Sequence, residues 1–158
     1  MDWSFRGDGP PPILVKIAPD LTREDKIDIA AVALEQKLDG LIISNTTIQR
    51  PPEVASRPDG LEAGGLSGAP LMGPSTALLS EMYALTRGTI PLVGCGGVTS
   101  GQDAYAKIRA GASLVQLYTA LVYQGAPLLP QIKMELARCL EEDGFSGVAE
   151  AVGADHAR

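Results

Sequence analysis

Glycines and polar side chains follow four apolar runs of this chain, and their types suit the binding of an anionic ligand. Lys16 stands within the first run, Ser44-Asn45-Thr46-Thr47 follows the second, Gly94-Cys95-Gly96-Gly97 ends the third and Tyr118-Thr119 follows the fourth. Backbone N–H groups of glycine turns before a helix bind phosphate, while amide and hydroxyl side chains orient a polar ligand. The pattern therefore indicates a ligand site with a phosphate-binding end.

Each motif also has a purely structural interpretation. A lysine at the end of a buried strand either faces an anion or extends its ammonium group into solvent. The polar run after Ile43 either contacts a ligand or forms a turn, and the paired glycines either bind phosphate or make a tight connection to the next helix. Cys95 is expected to be a small buried residue, since no histidine lies near it in sequence. His156, in the polar tail, is expected to be exposed.

Strand and helix signals alternate along the chain and must position these residues. Short apolar runs predict strands over residues 12–18, 40–44, 90–94 and 113–117, each buried on both faces. Thr22 with Asp25, and Ser100 with Asp103, have the spacing of capping boxes. The spacing predicts a helix after Thr22 with its apolar stripe at Ile27, Ala30, Ala31, Leu34 and Leu38. Further helices are predicted from Ser75 to Thr86, from Ser100 to Ala110 with Gly111 just beyond its end, and from Pro127 to Gly144.

Four strand–helix units imply a parallel sheet, either small and doubly wound or part of a (β/α)8 barrel. A complete barrel takes about 250 residues, or roughly 31 per unit. Four units need about 125, so the 158 residues suit half a barrel. In both architectures ligands bind at the carboxyl ends of the strands, where the polar motifs stand.

Two connections are long enough to contribute to such a site. The one from about Asn45 to Pro74 contains Ala63-Gly64-Gly65-Leu66-Ser67-Gly68, whose glycines allow close backbone approach to a ligand. The other, between Tyr118 and Pro127, has room for one short extra helix. Phosphate-binding barrels use such a helix together with the loops after their last two strands.

Composition restricts the classes of partner. A net charge of −6 without a lysine or arginine cluster argues against a nucleic-acid surface. One histidine and two distant cysteines argue against a metal centre. Residues 1–12 are rich in glycine and proline and are interpreted as a flexible leader. No apolar run reaches the roughly 18 residues of a membrane span.

Five motifs in order resemble the class 2, quinone-dependent dihydroorotate dehydrogenases, most closely the animal mitochondrial type. They are residues 14–22, 44–47, 64–68, 94–98 and 111–119. The resemblance covers residues 13–158 and implies an α/β fold, the C-terminal half of an FMN-binding (β/α)8 TIM barrel, four βα units long. It implies oxidation of dihydroorotate to orotate in pyrimidine biosynthesis, with ubiquinone as the electron acceptor.

The resemblance also implies residue roles. Lys16 matches the lysine beside the flavin ring, where a cation stabilises charge developing at N1 and the C2 carbonyl. Asn45 and Thr46 match residues that hydrogen-bond the substrate. The remaining expected FMN contacts are Ser44 (threonine in the animal enzymes), Gly68, Gly96, Gly97, Tyr118 and Thr119, with Gly97, Tyr118 and Thr119 around the phosphate. Cys95 replaces an apolar residue.

The motifs of the upstream half of the family have no counterpart here. They include the catalytic serine base, other orotate-binding residues, the membrane anchor and the quinone tunnel, and the segment before Pro10 does not resemble the family. The resemblance implies a mitochondrial inner-membrane enzyme. Two alternative functions are therefore expected for this chain: a dihydroorotate dehydrogenase by descent, or a non-catalytic half-barrel. The half-barrel would bind FMN or phosphate weakly, or act only as an interaction fragment. Its open barrel edges predict self-association.

Overall fold

The structure, a computed structural model, describes residues 11–157 and is built on one parallel sheet. Its strands are β1 (Leu14–Ile17), β2 (Gly40–Ile43), β3 (Leu92–Cys95) and β4 (Leu114–Gln116). They lie side by side in chain order, with Leu14 opposite Gly40, Leu41 opposite Leu92 and Val93 opposite Leu114. This confirms the predicted four-unit parallel α/β architecture. The predicted leader, except for residues 11 and 12, lies outside the described residues.

Helices follow every strand. They are α1 (Arg23–Glu35), α2 (Pro52–Ala55), α3 (Met72–Leu85), α4 (Gly101–Arg109), α5 (Thr119–Gln124), α6 (Leu128–Glu142) and α7 (Val148–Ala151). Thr22 and Asp25 form the predicted capping box of α1. At α4 the Ser100 hydroxyl accepts from the Asp103 N–H, whereas the Asp103 carboxylate accepts from Thr99 and not from Ser100. The short extra helix predicted after β4 is α5.

Three apolar clusters form the core. The largest lies between the sheet and helices α1 and α3, and includes Leu41, Ile43, Leu79, Met82 and Leu92. A second joins α4, α5 and α6, and a third packs the end of α4 against α6 and α7. The inner faces of the helices thus pack against the sheet and against one another.

The expectation that all four strands are buried on both faces is wrong for the outer two. β2 and β3 are mostly buried, but the first three residues of β1 are exposed, and Leu114 of β4 is 65% exposed. Each outer strand has a sheet neighbour on one side only among residues 11–157. Apolar sequence therefore predicted the strands correctly but not what covers their faces.

Two helices also differ from their predictions. In α1 the buried residues are Ala30 and Ala33, whereas Ile27 and Leu34 of the predicted stripe are exposed. Helix α3 begins at Met72, ahead of Ser75, after a short 3₁₀ turn at Ala69–Leu71. Pro74 is tolerated there because the first helical turn needs no N–H donor. Since the helix begins at Met72, Ser75 is not its N-cap, and its side chain can make other contacts.

Candidate functional site

A cavity of about 460 Å³ lies at the carboxyl ends of the strands. Small-molecule sites measure roughly 300–1,000 Å³, so its size suits a cofactor or metabolite. Every strand contributes to its wall, either with its last residues or with those that follow it. All nine residues singled out from the sequence line this cavity: Lys16, Ser44, Asn45, Thr46, Gly68, Gly96, Gly97, Tyr118 and Thr119.

The Gly96–Gly97 turn forms one end of the cavity. Both glycines have left-handed backbone conformations, with φ of +111° and +79°. A Cβ atom at Gly97 would stand 2.4 Å from the backbone nitrogen of Met72, at the start of α3. Only glycine combines this conformation with this approach. The turn therefore brings bare backbone to the cavity wall, as an anion-binding turn requires.

A buried lysine stands behind this turn and does not line the cavity. Lys107 of α4 is fully buried and donates a hydrogen bond to Ser75 Oγ on α3. Ser75 is also fully buried, and its hydroxyl lies 3.0 Å from the carbonyl oxygen of Gly96. The sequence interpretation missed both residues. The available signal was the spacing of Ala104, Lys107 and Ile108, which puts a lysine on the buried face of α4.

Burial changes the ionisation of Lys107. Desolvation lowers its pKa to about 8, and the nearby Cys95 and Asp103 oppose this shift. Burial alone would raise the pKa of Asp103, but the hydrogen bonds from the Thr99 N–H and hydroxyl lower it. Asp103 is therefore a carboxylate near neutral pH, and Lys107 remains predominantly protonated at pH 7.

The polar run after β2 is held between its neighbouring strands. The Ser44 N–H donates to the Cys95 carbonyl and the Asn45 N–H to the Ile17 carbonyl, both at 2.9 Å. Ser44 is buried and its hydroxyl donates to the Asn45 carbonyl. Asn45 Oδ1 accepts from the Thr46 N–H at 2.9 Å. The side chains of Asn45 and Thr46 are consequently exposed at the cavity on a fixed backbone.

The long loop from β2 to α3 is organised by Arg50 and Asp20. Arg50 donates to the carbonyl groups of Thr47, Gln49, Glu62 and Gly64. Asp20, after β1, accepts from the Thr47 hydroxyl at 2.5 Å and from the Ile48 N–H at 2.9 Å. The loop is thereby tied to itself and to the end of β1.

The far end of this loop contacts α5. Ser67, a cavity-lining residue that the sequence interpretation did not single out, has its hydroxyl 3.1 Å from that of Thr119. A Cβ at Gly68 would stand 3.2 Å from the Thr119 methyl group. Gly68, with φ of +84°, is thus packed closely beside the expected phosphate end.

Lys16 and Tyr118 stand on the open side of the cavity. Lys16 is exposed, which corrects the expectation of a lysine buried within its strand, because the face of β1 that carries it is uncovered. Tyr118 is 78% exposed. The Lys16 ammonium group is free of carboxylate partners within the described residues, so its charge is available to a ligand.

Other expectations concern residues away from the cavity. Cys95 is half-buried beside the glycine turn and is a free thiol. His156 is exposed as expected, but its ring lies 4.9 Å from that of Tyr83 and its Nε2 lies 3.1 Å from Ser80 Oγ. Over residues 11–157, no helix is long and apolar enough to cross a membrane. In the same range, no three His, Cys, Asp or Glu side chains cluster closely enough for a metal ion.

Parallel βα units with a cavity at the strand ends and a glycine turn define an α/β protein of the (β/α)8-barrel class. The family model described as dihydroorotate dehydrogenase matches residues 6–140. This chain therefore belongs to the dihydroorotate dehydrogenase family.

Curated relatives agree with this membership. The chain is 66% identical over 155 residues to the mitochondrial dihydroorotate dehydrogenase (quinone) of Oryza sativa subsp. japonica, covering 98% of this chain and 33% of the rice protein. It is 56% identical to the Mus musculus mitochondrial enzyme, covering 98% of this chain and 39% of the mouse protein. These names confirm the quinone-dependent class. The identity to the rice enzyme is higher than that to the mouse enzyme over the same share of this chain.

A solved structure confirms the fold. The DHODH of Eimeria tenella, crystallised with ferulenol, superposes with a TM-score of 0.89 at 49% sequence identity. The match covers 92% of this chain and 39% of that one. The chain thus spans between about a third and two fifths of the length of the relatives described here.

Proposed function

We propose that this chain binds FMN and dihydroorotate as part of a quinone-dependent dihydroorotate dehydrogenase, which oxidises dihydroorotate to orotate with ubiquinone as acceptor. The observation that carries the proposal is the meeting of all nine expected contact residues in one cavity. These residues come from the ends of four strands and from the long loop, so sequence proximity does not explain their convergence. Mitochondrial relatives support location in mitochondria, and we propose the inner membrane as the site of the whole enzyme.

The residues fit the two chemically different ends of FMN. Gly96 and Gly97 offer a bare backbone turn, and Thr119 adds a hydroxyl, at the end where the phosphate would bind. Tyr118 would also lie near the phosphate, and Ser44 and Gly68 would contact the remaining parts of the cofactor. The apolar lining at Leu71, Val98 and Leu117 suits a planar ring system. A bound flavin would supply the hydride acceptor for oxidation.

Lys16, Asn45 and Thr46 would act at the ring end. The Lys16 ammonium group would stabilise negative charge on a flavin bound in the cavity. The Asn45 amide and the Thr46 hydroxyl offer donors and acceptors to the carbonyl and N–H groups of a pyrimidine substrate. Because the backbone of Asn45 is held by β1 and that of Ser44 by β3, the side chains of Asn45 and Thr46 would hold the substrate at a set position.

A second candidate function is flavin binding without turnover. The exposure of Lys16, Asn45 and Thr46 on the open side of the cavity favours it, because water has access to the groups that would contact substrate. In this alternative the half-barrel retains the phosphate-binding end and acts as a binding or interaction module. Its residues would bind FMN weakly, without oxidising dihydroorotate.

The visible absorbance of flavin distinguishes these functions. The purified chain is loaded with FMN, desalted and then mixed with dihydroorotate without oxygen. Bound flavin that loses its absorbance supports the dehydrogenase, bound flavin that keeps it supports the binding module, and failure to retain any flavin contradicts both. Asn45→Ala should retain flavin but abolish bleaching, whereas Gln49→Ala, an amide in the same loop outside the cavity wall, should behave like the wild type.

A further inference from the structure

Lys107 is a buried cation whose place the proposed ligand contacts do not explain. It lies on α4 behind the Gly96–Gly97 turn, and its side chain is the largest among those that are fully buried. It makes no ion pair within residues 11–157. Burying an ammonium group without a direct counter-ion is costly. A leucine or methionine would fill this position without the free-energy cost of burying a charge. The charge of Lys107 therefore requires an explanation.

The hydrogen bonds of Lys107 lead to the glycine turn. Lys107 Nζ donates to Ser75 Oγ, and the Ser75 hydroxyl can donate to the carbonyl of Gly96 at 3.0 Å. A protonated lysine has three donors and no acceptor, so Ser75 must accept from it and keeps its own proton to donate. The Gly96 carbonyl, at 3.0 Å, is a nearer acceptor for that proton than the Met72 carbonyl, at 3.3 Å. A neutral lysine has a lone pair that competes for the Ser75 proton. The charge on Lys107 therefore sets the direction of this hydrogen-bond chain.

The orientation of the Gly96 carbonyl fixes the N–H of the next residue. The carbonyl of Gly96 and the N–H of Gly97 belong to one planar peptide, and in a trans peptide they point in opposite directions. Ser75 lies outside the cavity wall, whereas Gly96 and Gly97 form part of it. When the Gly96 carbonyl points toward Ser75 on α3, the Gly97 N–H points in the opposite direction, away from α3. That N–H has no acceptor among the described residues, so it is available to a ligand.

Within the described part of the chain, the groups that face Lys107 carry no second positive charge. From β3 the adjacent group is the Cys95 thiol, from α4 it is Asp103, and from α3 it is the neutral hydroxyl of Ser75. The Asp103 carboxylate is already engaged by the Thr99 N–H and hydroxyl, at 2.9 and 2.7 Å. No arginine or second lysine forms part of the hydrogen-bond chain.

We propose that Lys107 is a positioning residue for the phosphate of FMN, acting through Ser75 to hold the Gly96–Gly97 peptide with its N–H toward the cavity. The proposal rests on the proposed function, because it needs the cofactor phosphate at this turn. It assigns Lys107 no contact with the ligand. Its effect on affinity is confined to ligands that carry the phosphate.

A comparison of FMN with riboflavin, which lacks the phosphate, tests the proposal. Dissociation constants are measured on the whole chain by quenching of flavin fluorescence. Lys107→Met should weaken FMN binding about tenfold, a loss of about 1.4 kcal/mol, and should leave riboflavin within about twofold. Ser75→Ala should act in the same direction. Thr76→Ala, which removes a neighbouring α3 hydroxyl bonded to the Met72 carbonyl, is the matched control and should change neither.

The pH dependence separates positioning from packing. The FMN-to-riboflavin affinity ratio of the wild type should fall as pH rises through about 8, where Lys107 loses its proton, and should be flat in Lys107→Met. A phosphate ester has its second pKa near 6, so the ligand keeps its charge over this range. A ratio that is unchanged by Lys107→Met and by Ser75→Ala, or a wild-type ratio that is constant from pH 7 to about 9, would overturn the proposal.

A measurement without ligand keeps this inference distinct from the proposed function. The carbonyl carbon resonance of Gly96 should titrate with a midpoint near pH 8 and should lose this titration in Ser75→Ala. If the chain binds neither flavin but the resonance titrates, the proposed function fails and the Lys107–Ser75–Gly96 coupling stands. If flavin binds and the resonance does not titrate, the proposed function stands and this inference fails. Because the wild type and Ser75→Ala suffice, the result does not depend on the folding of Lys107→Met.

Discussion

Arg50 donates a hydrogen bond of 2.6 Å from its guanidinium group to the carbonyl of Gly64, fourteen residues further along the chain. The same nitrogen donates to the Glu62 carbonyl at 3.0 Å, and the other terminal nitrogen contacts the carbonyls of Thr47 and Gln49. One planar side chain thus joins residues 47–49 of the long loop beside the cavity to residues 62–64. Arginine suits this position because its donors are fixed in one plane and remain charged.

The first prediction concerns this arginine. Arg50→Met should loosen residues 47–66 while leaving the sheet intact, because the lost contacts are confined to the loop. Loss of about 1.4 kcal/mol of local stability corresponds to tenfold faster amide exchange in the loop. Hydrogen exchange read by mass spectrometry measures this change. Arg57→Met, an exposed arginine of the same loop, is the control, and equal protection of the loop in both variants would contradict the prediction.

The second prediction concerns the glycine turn. Gly97→Ala should destabilise the chain by roughly 1–3 kcal/mol through backbone strain alone, and further because its Cβ would meet the Met72 nitrogen at 2.4 Å. Gly144→Ala is a matched control, because Gly144 has nearly the same φ of +78° and open space around it. Chemical denaturation of both variants separates strain from the steric clash. Equal destabilisation would show that the approach to Met72 has no energetic consequence.

The third prediction concerns the uncovered sheet. Ile13 and Leu114 lie at opposite sides of the sheet and are 63% and 65% exposed, and open strand edges favour pairing with another chain. We therefore expect the isolated chain to self-associate, with a sedimentation coefficient that rises with concentration. Leu114→Lys should reduce this association, because a lysine on an edge strand opposes pairing. Met134→Lys, at a similarly exposed position on α6, is the control, and a wild type that is monomeric at all concentrations would refute the prediction.

Local signals made much of the fold predictable. The Thr22–Asp25 capping box and the glycine turn at Gly96–Gly97 depend on residues close in sequence, and the structure contains both. The nine expected site residues follow strand ends or lie in the adjacent loop, and a parallel sheet brings those ends to one side. Their place at one end of the sheet follows from that rule, whereas their meeting in one cavity also depends on the long loop and α5. Their individual roles toward FMN and substrate stay predictions.

Long-range partners were not predictable in the same way. Lys107 meets Ser75 across 32 residues, and the donors of Arg50 reach Gly64 over a loop that has little regular structure. Nothing in a local window specifies either pair. The exposure of β1 has a similar cause, because the apolar character of Val15 is a local property whereas its covering is not. Burial of Ala30 and Ala33 instead of Ile27 and Leu34 likewise reflects how closely α1 packs on its neighbours.

The fourth prediction uses the stability of the fold to test the state of Lys107. Because burial lowers the pKa of this lysine from 10.5 to about 8, the folded state releases its proton before the unfolded state does. Between these values the unfolded state binds more protons, so the free energy of unfolding contributed by this group rises with pH. Lys107→Met should abolish this rise. Urea denaturation at pH 7, 8, 9 and 10 measures it in the absence of flavin.

This rise in stability has the opposite sign to the effect expected on FMN binding. The neutral form of Lys107 costs less free energy to bury than the protonated form. However, the neutral form no longer directs the Ser75 proton to the Gly96 carbonyl. Lys133→Met, which removes an exposed lysine of α6, should keep the wild-type slope of stability against pH. A slope that is identical in Lys107→Met and in Lys133→Met would mean that Lys107 titrates as an ordinary solvent-exposed lysine. That result would contradict the lowering of the Lys107 pKa by burial.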